Sequence, residues 1–372
     1  MASIFNIMTT NSKVQGGMNA HAARLFAIAL LFGLTVAPSR ASAADMVIST
    51  ALAESSKVDG HVFCNGIRLQ DEIVVINTRR ICGRTNDESI RNGLAIDTYA
   101  IHNDAGQRRW MRTDLDSFLA FDPAVPTVIF VHGNQITEGD AKHEGLAIYR
   151  RMIDHGADAE RIRFVIFSWP SSKVGRLLQD VRIKAGRTGP AGHQLAWLLD
   201  QMPAETPVSL VGFSFGARII TGALHIVAGG RLNGSLALHE RNNPERAPVQ
   251  AVLIAPALHA HWLGKGQFHG LAMTQVSEML MLNNCQDRAM KFYHFLTPGR
   301  GGPQALGLRG ATRLSADYAA KIHYRDVSGY VGSQHDLFRY LCVPGAAGQI
   351  WDYTAAAEEE PAKITQLSMS DR

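Results

Sequence analysis

Cysteine is scarce in this chain. Cys64, Cys82, Cys285 and Cys342 are all that 372 residues contain, and no two of them form a C-x-x-C pair. That excludes a zinc ribbon and a thioredoxin-like redox motif, both of which need closely spaced thiols. An excess of one charge is missing as well: Lys and Arg number 37 against 33 Asp and Glu, a net charge of +4 with the 15 histidines counted neutral. The charges are interspersed and form no basic tract able to neutralise a run of phosphates, so no nucleic-acid partner is expected. No internal repeat is visible, which sets solenoids and propellers aside.

Long apolar runs are confined to one place. Arg24 precedes the run Leu25 to Ala37, Pro38 and Arg40 end it, and Ala41-Ser42-Ala43 follows as an A-x-A cleavage signature. The run falls short of the ~20 residues of an ordinary membrane span and has the parts of a secretory signal. Residues 1–43 are therefore read as a signal segment, with an uncleaved anchor as the alternative and Met18 as an alternative start. Residues 44–61 read as a flexible lead-in, 62–344 as a single domain, and 345–372 as a polar tail, partly disordered. Export into an oxidising compartment gives the even set of cysteines a meaning. Three pairings are open. Cys64–Cys82 and Cys285–Cys342 are the expected ones, the first closing a local loop and the second tying two late loops together.

The composition, 46% hydrophobic and 19% charged, is that of a globular protein with length for one large core. Near-continuous apolar runs at 126–131, 163–167, 208–213 and 249–254 have the character of parallel strands buried on both faces. Helical spacing lies between them, at 141–154 and 192–202, so the pattern predicts βαβ units and a mostly parallel sheet flanked by helices. Segments 72–77 and 94–101 are expected as antiparallel edge strands at the amino-terminal side. Short strands are expected at 279–283 and 322–327, and Gly299 to Gly310 reads as a mobile loop.

The run Val208 to Val211 ends in Gly212-Phe213-Ser214-Phe215-Gly216, and a helical stretch follows. Strand, G-x-S-x-G, helix is the setting of a nucleophile elbow. Gly212 and Gly216 flank the serine where a side chain would collide with the neighbouring backbone. A serine hydroxyl is a poor nucleophile at neutral pH and needs a base in contact, which in turn needs an orienting acid. In this arrangement the three arrive in the order Ser, acid, His. Asp287 follows the strand at 279–283 and can also cap a helix; Asp326 is its rival. His335 lies in a Gly-rich loop after the last strand, just before a helical stretch; His323 is its rival. An oxyanion hole needs two amides, and the Phe215 and Asn134 backbones are the candidates, with the Asn134 side chain as an alternative donor. His259 and His261 form an H-x-H pair with no third ligand pattern, so no metal is expected, and the triad calls for no cofactor.

The segments Val131-His132-Gly133-Asn134, Phe167-Ser168-Trp169-Pro170-Ser171, Gly212 to Gly216, Ala255-Pro256-Ala257 and Asp287-Arg288-Ala289, with the late His335, resemble the α/β-hydrolase superfamily. More narrowly they are similar to a bacterial family of largely uncharacterised, esterase/lipase-like α/β-hydrolases. Ile76-Asn77-Thr78-Arg79 matches the opening strand of that family. The resemblance covers roughly residues 126–342. It implies Ser214 as nucleophile, Asp287 as acid and His335 as base. Two departures stand out: Asn134 follows Gly133 directly where the family has an intervening residue, and Phe213 stands where relatives often have His.

The expected function is a serine hydrolase acting on a small-molecule or lipid carboxylic ester through an acyl-enzyme. No obligate protein partner is evident. A lipase, thioesterase or amidase would use the same residues, and residues 258–278 carry enough apolar side chains to form either a lid for a membrane-surface substrate or a packed connection. A non-catalytic binding protein on the same scaffold is the alternative from another class.

Overall fold

A computed structural model describes residues 57–354, apart from 59–60, 65, 82–85, 102–107, 157–160, 244 and 297–301. The expected signal segment and the end of the chain from 355 onward lie outside the described residues. Three short antiparallel strands come first, β1 (Lys57–Val58), β2 (His61–Cys64) and β3 (Ile67–Arg68), so the last residues of the expected lead-in already pair.

The strands that carry the fold follow. β4 (Glu72–Asn77), helix α1 (Asp87–Gly93), β5 (Ala95–Ile101), β6 (Arg108–Thr113) and helix α2 (Leu115–Leu119) lead into β7 (Thr127–Val131). Helix α3 (Glu138–Ile153), β8 (Arg163–Ser168), helix α4 (Leu177–Gln201), β9 (Val208–Phe213), helix α5 (Phe215–Val227), β10 (Val249–Ile254), β11 (Val276–Asn283) and β12 (Ile322–Asp326) complete the sheet and its main layers. The strand order is β12-β11-β10-β9-β7-β8-β4-β5-β6. Every pairing from β12 to β4 is parallel, and β5 and β6 add an antiparallel edge. The expected edge is thus present, with one difference: β4 belongs to the parallel part, and the second edge strand is β6. Arg108–Thr113 alternates half-buried and exposed residues and is rich in arginine, as a solvent-facing edge strand can be.

Strand side chains alternate between faces, and the two faces build two cores. Val74, Ile129, Val131, Val165, Phe167 and Leu210 pack on one side with α4 and α5. Ile73, Val128, Phe130, Phe164, Ile166 and Val211 pack on the other, with Tyr149 and Met152 of α3. This double burial is why the strands read as unbroken apolar runs. Helix α4 is longer than its apolar spacing suggests, because Gly186, Gly189 and Pro190 lie inside it.

The late elements are short: α6 (Arg288–Lys291), α7 (Leu306–Arg309), α8 (Ala316–Ala319), α9 (Ser328–Val331), α10 (Leu337–Leu341) and α11 (Ala346–Asp352). Helix α11 lies beyond the expected domain end at 344 yet is part of the body, with Ile350 and Trp351 buried in the α3-side core. Gly307 is no loop residue either. It sits in α7, where a Cβ would come within 2.8 Å of the Ala255 carbonyl carbon. Residues 258–275 form turns and a short 3-10 helix that runs into β11, with Leu258, Leu263 and Met273 fully buried and Phe268 and Leu271 exposed.

Candidate active site

All the loops that matter leave the carboxyl ends of the parallel strands, where open α/β sheets place their ligands. Ser214 occupies the turn from β9 to α5 with φ 54° and ψ −115°. A non-glycine residue held there stores about 1–3 kcal/mol of strain. Three backbone bonds hold it: the Ser214 amide donates to Ile254 O at 2.9 Å, and Ser214 O accepts the Ala257 amide at 3.1 Å and the Ala217 amide at 3.2 Å. The Ala255-Pro256-Ala257 segment is therefore the clamp on the elbow. Gly216 sets how closely α5 approaches the sheet, since a Cβ there would lie 1.9 Å from Val131 O. At Gly212 the corresponding approach is 2.7 Å, to the Ala217 amide nitrogen.

Asp287 follows β11 and His335 lies between α9 and α10, and the structure brings both to the serine. His335 Nε2 is 2.9 Å from Ser214 Oγ, and His335 Nδ1 is 2.7 Å from Asp287 Oδ2. The carboxylate accepts, so the hydrogen-bond pattern assigns the proton to Nδ1 and leaves the Nε2 lone pair facing the serine hydroxyl. Asp287 is fully buried and divides its two oxygens. Oδ1 accepts the Met290 amide at 3.1 Å as the N-cap of α6, while Oδ2 receives His335 and also the Tyr340 hydroxyl at 2.9 Å. The capping and orienting roles coexist in one side chain. Phe213 stacks on His335 with ring centres 5.0 Å apart. Neither rival joins this chain: Asp326 accepts from the Ser328 amide at 2.8 Å, and His323 stands 3.9 Å from Glu278.

The loop after β7 faces the same serine. The amides of Phe215 and Asn134 have no backbone acceptor among the described residues, as the first amide of a helix and a turn amide commonly do. The Asn134 side chain is engaged elsewhere. Its Nδ2 lies 3.4 Å from Asp180 Oδ2, which also accepts Gln135 Nε2 at 3.2 Å. Gln135 has φ 59°, so the loop turns through a conformation that side chains seldom adopt. Asp180 Oδ1 accepts the Val174 amide at 2.6 Å and Lys184 Nζ at 2.8 Å, and both charged side chains are fully buried. Burial alone would push the Asp180 carboxyl up, but the donors from Lys184, Val174 and Gln135 leave it below its ordinary value.

The loop is held from its other side by Arg79. Its guanidinium donates to Ile136 O at 3.0 Å, Ser168 Oγ at 2.9 Å and Ser172 Oγ at 3.0 Å, and lies 3.3 Å from His132 Nε2. His132 is fully buried, and burial pushes it down to about 3. It accepts the Trp169 amide at Nε2, 3.2 Å away, so its Nδ1 proton goes to Gly133 O at 2.9 Å. The Trp169 indole donates back to His132 O at 2.9 Å. The His132-Gly133-Asn134 and Trp169-containing segments are thus one scaffold, and His132 is structural.

A cavity of about 200 Å³ opens over Ser214. Val181, Phe215, Ala289, Met290, Tyr293 and Leu296 give it an apolar wall, and Asn134, Gln135, Glu144 and Asp336 a polar one. Glu144 Oε2 is buried there without a hydrogen-bond partner. Burial, with Asp336 and Asp140 nearby, pushes its carboxyl up to about 8. The H-x-H pair does not line this cavity, His259 standing behind its Tyr293 wall with ring centres 5.5 Å apart, and among the described residues no group of three or more His, Cys, Asp or Glu side chains could hold a metal ion.

The cysteine expectation needs correction. Cys285 and Cys342 are both free and exposed. Cys285 Sγ faces the Ser328 hydroxyl at 3.3 Å, and Cys342 Sγ faces Arg151 at 3.8 Å, so the two thiols have separate surroundings. Hydrogen bonds do the stapling instead. Asn284 Nδ2 donates to Gly332 O at 2.8 Å, the Cys285 amide to Ser328 Oγ at 2.8 Å, and the Arg288 amide to Ser333 O at 3.2 Å. The Cys64–Cys82 pairing falls on side chains outside the described residues.

Reading the sequence alone misses Tyr340 and Asp180, whose partners are long-range. Arg79 left one signal, its place in the Ile76 to Arg79 segment.

Strand order, elbow and carboxyl-end loops together define the α/β-hydrolase fold. No protein-family model matches the chain, and no curated protein matches it. Among solved structures it is similar to an acetylxylan esterase, with 12% identity over 62% of this chain and 96% of that one and a TM-score of 0.32. It is similar to acyl-protein thioesterase 2 of Zea mays, with 13% identity over 62% and 92% of the two chains and a TM-score of 0.33. Esterase B of Lactobacillus rhamnosis shares 10% identity over 90% and 91%, with a TM-score of 0.30. Likenesses this distant assign no activity.

Proposed function

We propose that this chain is a serine hydrolase of carboxylic esters. The observation that carries the reading is the hydrogen-bonded series Ser214–His335–Asp287 at a strained elbow under an open cavity. Ser214 Oγ attacks the acyl carbon while His335 Nε2 takes its proton. The C–O bond to the leaving alcohol then breaks, and His335 returns the proton to it. Water, deprotonated by the same nitrogen, releases the acid from the acyl-enzyme. Asp287 supports the transient imidazolium, and the Phe215 and Asn134 amides receive the oxyanion.

A cavity of about 200 Å³ with one apolar wall suits a short acyl group better than a long lipid chain. We further propose that residues 1–43 direct export. Fluorophosphonate labelling tests the central claim. Folded wild type should label and hydrolyse short p-nitrophenyl esters, and Ser214→Ala should do neither. Absence of labelling in folded wild type would favour a binding protein on this scaffold.

A further inference from the structure

A second cavity, of about 140 Å³, lies beside helix α5. Arg218 sits in it, one turn beyond Ser214 on the same helix. Other shielded arginines here have oxygen acceptors: Arg68 has Asp71, Arg163 has Glu72, and Arg246 has the Met202 and Pro203 carbonyls. Arg218 has neutral neighbours instead of a carboxylate or carbonyl: the Trp262 ring at 4.6 Å and the Phe215 ring at 5.9 Å from the guanidinium carbon, and the Tyr293 hydroxyl. Burial pushes its guanidinium below the ordinary value, the Tyr293 hydroxyl acts the other way by charge and hydrogen bond, and no carboxylate among the described residues does.

The rest of the cavity fits a small anion with an apolar body. His269 is buried and held neutral, with Nδ1 2.9 Å from Thr221 Oγ1, so Arg218 supplies the only positive charge in the lining. Leu232 and Phe268 are its apolar walls. Asn233, at φ 51°, turns its amide toward Gly189, where a Cβ would meet Nδ2 at 2.7 Å. Gly186 and Gly189 leave the α4 side open. A guanidinium matches a planar carboxylate through two parallel hydrogen bonds, and a cavity of about 150 Å³ is known to hold benzene.

We propose that this cavity binds a small monocarboxylate, held by Arg218 with the Asn233 amide at its mouth. The ligand is either the acid moiety handled at Ser214 or a free carboxylate from solution. The binding claim does not depend on the esterase reading, because it can be measured in a protein without the nucleophile.

Titration calorimetry on wild type and on Ser214→Ala, with benzoate and its neutral isostere benzamide, tests it. Benzoate should bind both proteins at one site, and benzamide at least tenfold more weakly. Arg218→Gln should remove that preference. Gly189→Ala leaves the arginine in place and crowds Asn233, so it should weaken benzoate severalfold even if Arg218→Gln fails to fold. Equal binding of benzoate and benzamide, or benzoate affinity unchanged in Gly189→Ala and in folded Arg218→Gln, overturns the proposal. Competition by benzoate against ester hydrolysis, lost in Arg218→Gln, would support the acid moiety as ligand. Arg218-dependent binding without competition would support the free carboxylate.

Discussion

Tyr340 donates its hydroxyl to Asp287 Oδ2 from 2.9 Å, on the same oxygen that receives His335 Nδ1 at 2.7 Å. Two donors thus fix one carboxylate oxygen, and the N-cap bond from Met290 fixes the other. The acid of the series is immobilised by three elements at once: α6, the His335 loop and α10.

Tyr340→Phe keeps the ring against Phe213 and removes only the hydroxyl. A hydrogen bond to a charged group contributes about 1.5–3 kcal/mol. If most of that stays available in the transition state, kcat falls about tenfold with KM little changed. Steady-state kinetics on a short p-nitrophenyl ester checks this; a KM effect alone would place Tyr340 in substrate binding.

Asp180 positions the loop that carries Asn134 and Gln135. Asp180→Ala leaves the Lys184 ammonium buried without its partner, a loss of about 3–5 kcal/mol. It also frees the Asn134 and Gln135 side chains, so kcat should fall about 10–100-fold, less than the ~100–1,000-fold that removal of an oxyanion donor costs, because the Asn134 amide is displaced and not removed. Asp180→Ala with Lys184→Met should recover stability and leave kcat low. Urea unfolding and kinetics on both variants separate the two effects.

Glu144 gives a pH-dependent prediction. Its folded value, about 8, lies above the ordinary value of 4.5. The folded protein therefore binds a proton that the unfolded chain releases, and this contribution to stability shrinks as pH rises from about 5 to 8. Glu144→Gln removes the effect. Its stability gain over wild type should grow across that window by up to about 1.4 kcal/mol per pH unit, to a ceiling of about 5 kcal/mol, and level off above pH 8. Thermal unfolding at pH 5, 7 and 9 measures it, and a constant difference would refute the assignment.

Gly216→Ala places a methyl group 1.9 Å from Val131 O, a backbone atom held in the sheet by both neighbours of β7. Helix α5 must retreat, which should cost about 3 kcal/mol or more and carry the Phe215 amide with it. Fluorophosphonate labelling should drop even at temperatures where the variant is still folded.

The central sheet was legible in the sequence because its strands bury both faces, Val128 and Phe130 on one and Val165, Leu210 and Leu253 on the other, and leave no polar interruption. Asp287 and His335 were legible because chain order restricts where an acid and a base can stand after Ser214. Strand β6 was not, since a solvent-facing edge carrying Arg108, Arg109 and Arg112 has little apolar signal. The first half of α4 was hidden by Gly186, Gly189 and Pro190. Tyr340, Asp180 and Arg79 act across 53, 45 and 89 residues, separations at which no local pattern records the partner. The expectation of a Cys285–Cys342 bridge rested on compartment and proximity to the loops, and the thiols turned to different neighbours.

That last difference changes what the two loops depend on. The acid and base loops are joined through Asn284, Ser328 and Ser333, and none of those contacts involves electron transfer. Among the described residues, then, what joins the acid loop to the base loop is a set of hydrogen bonds, which a reducing agent leaves intact.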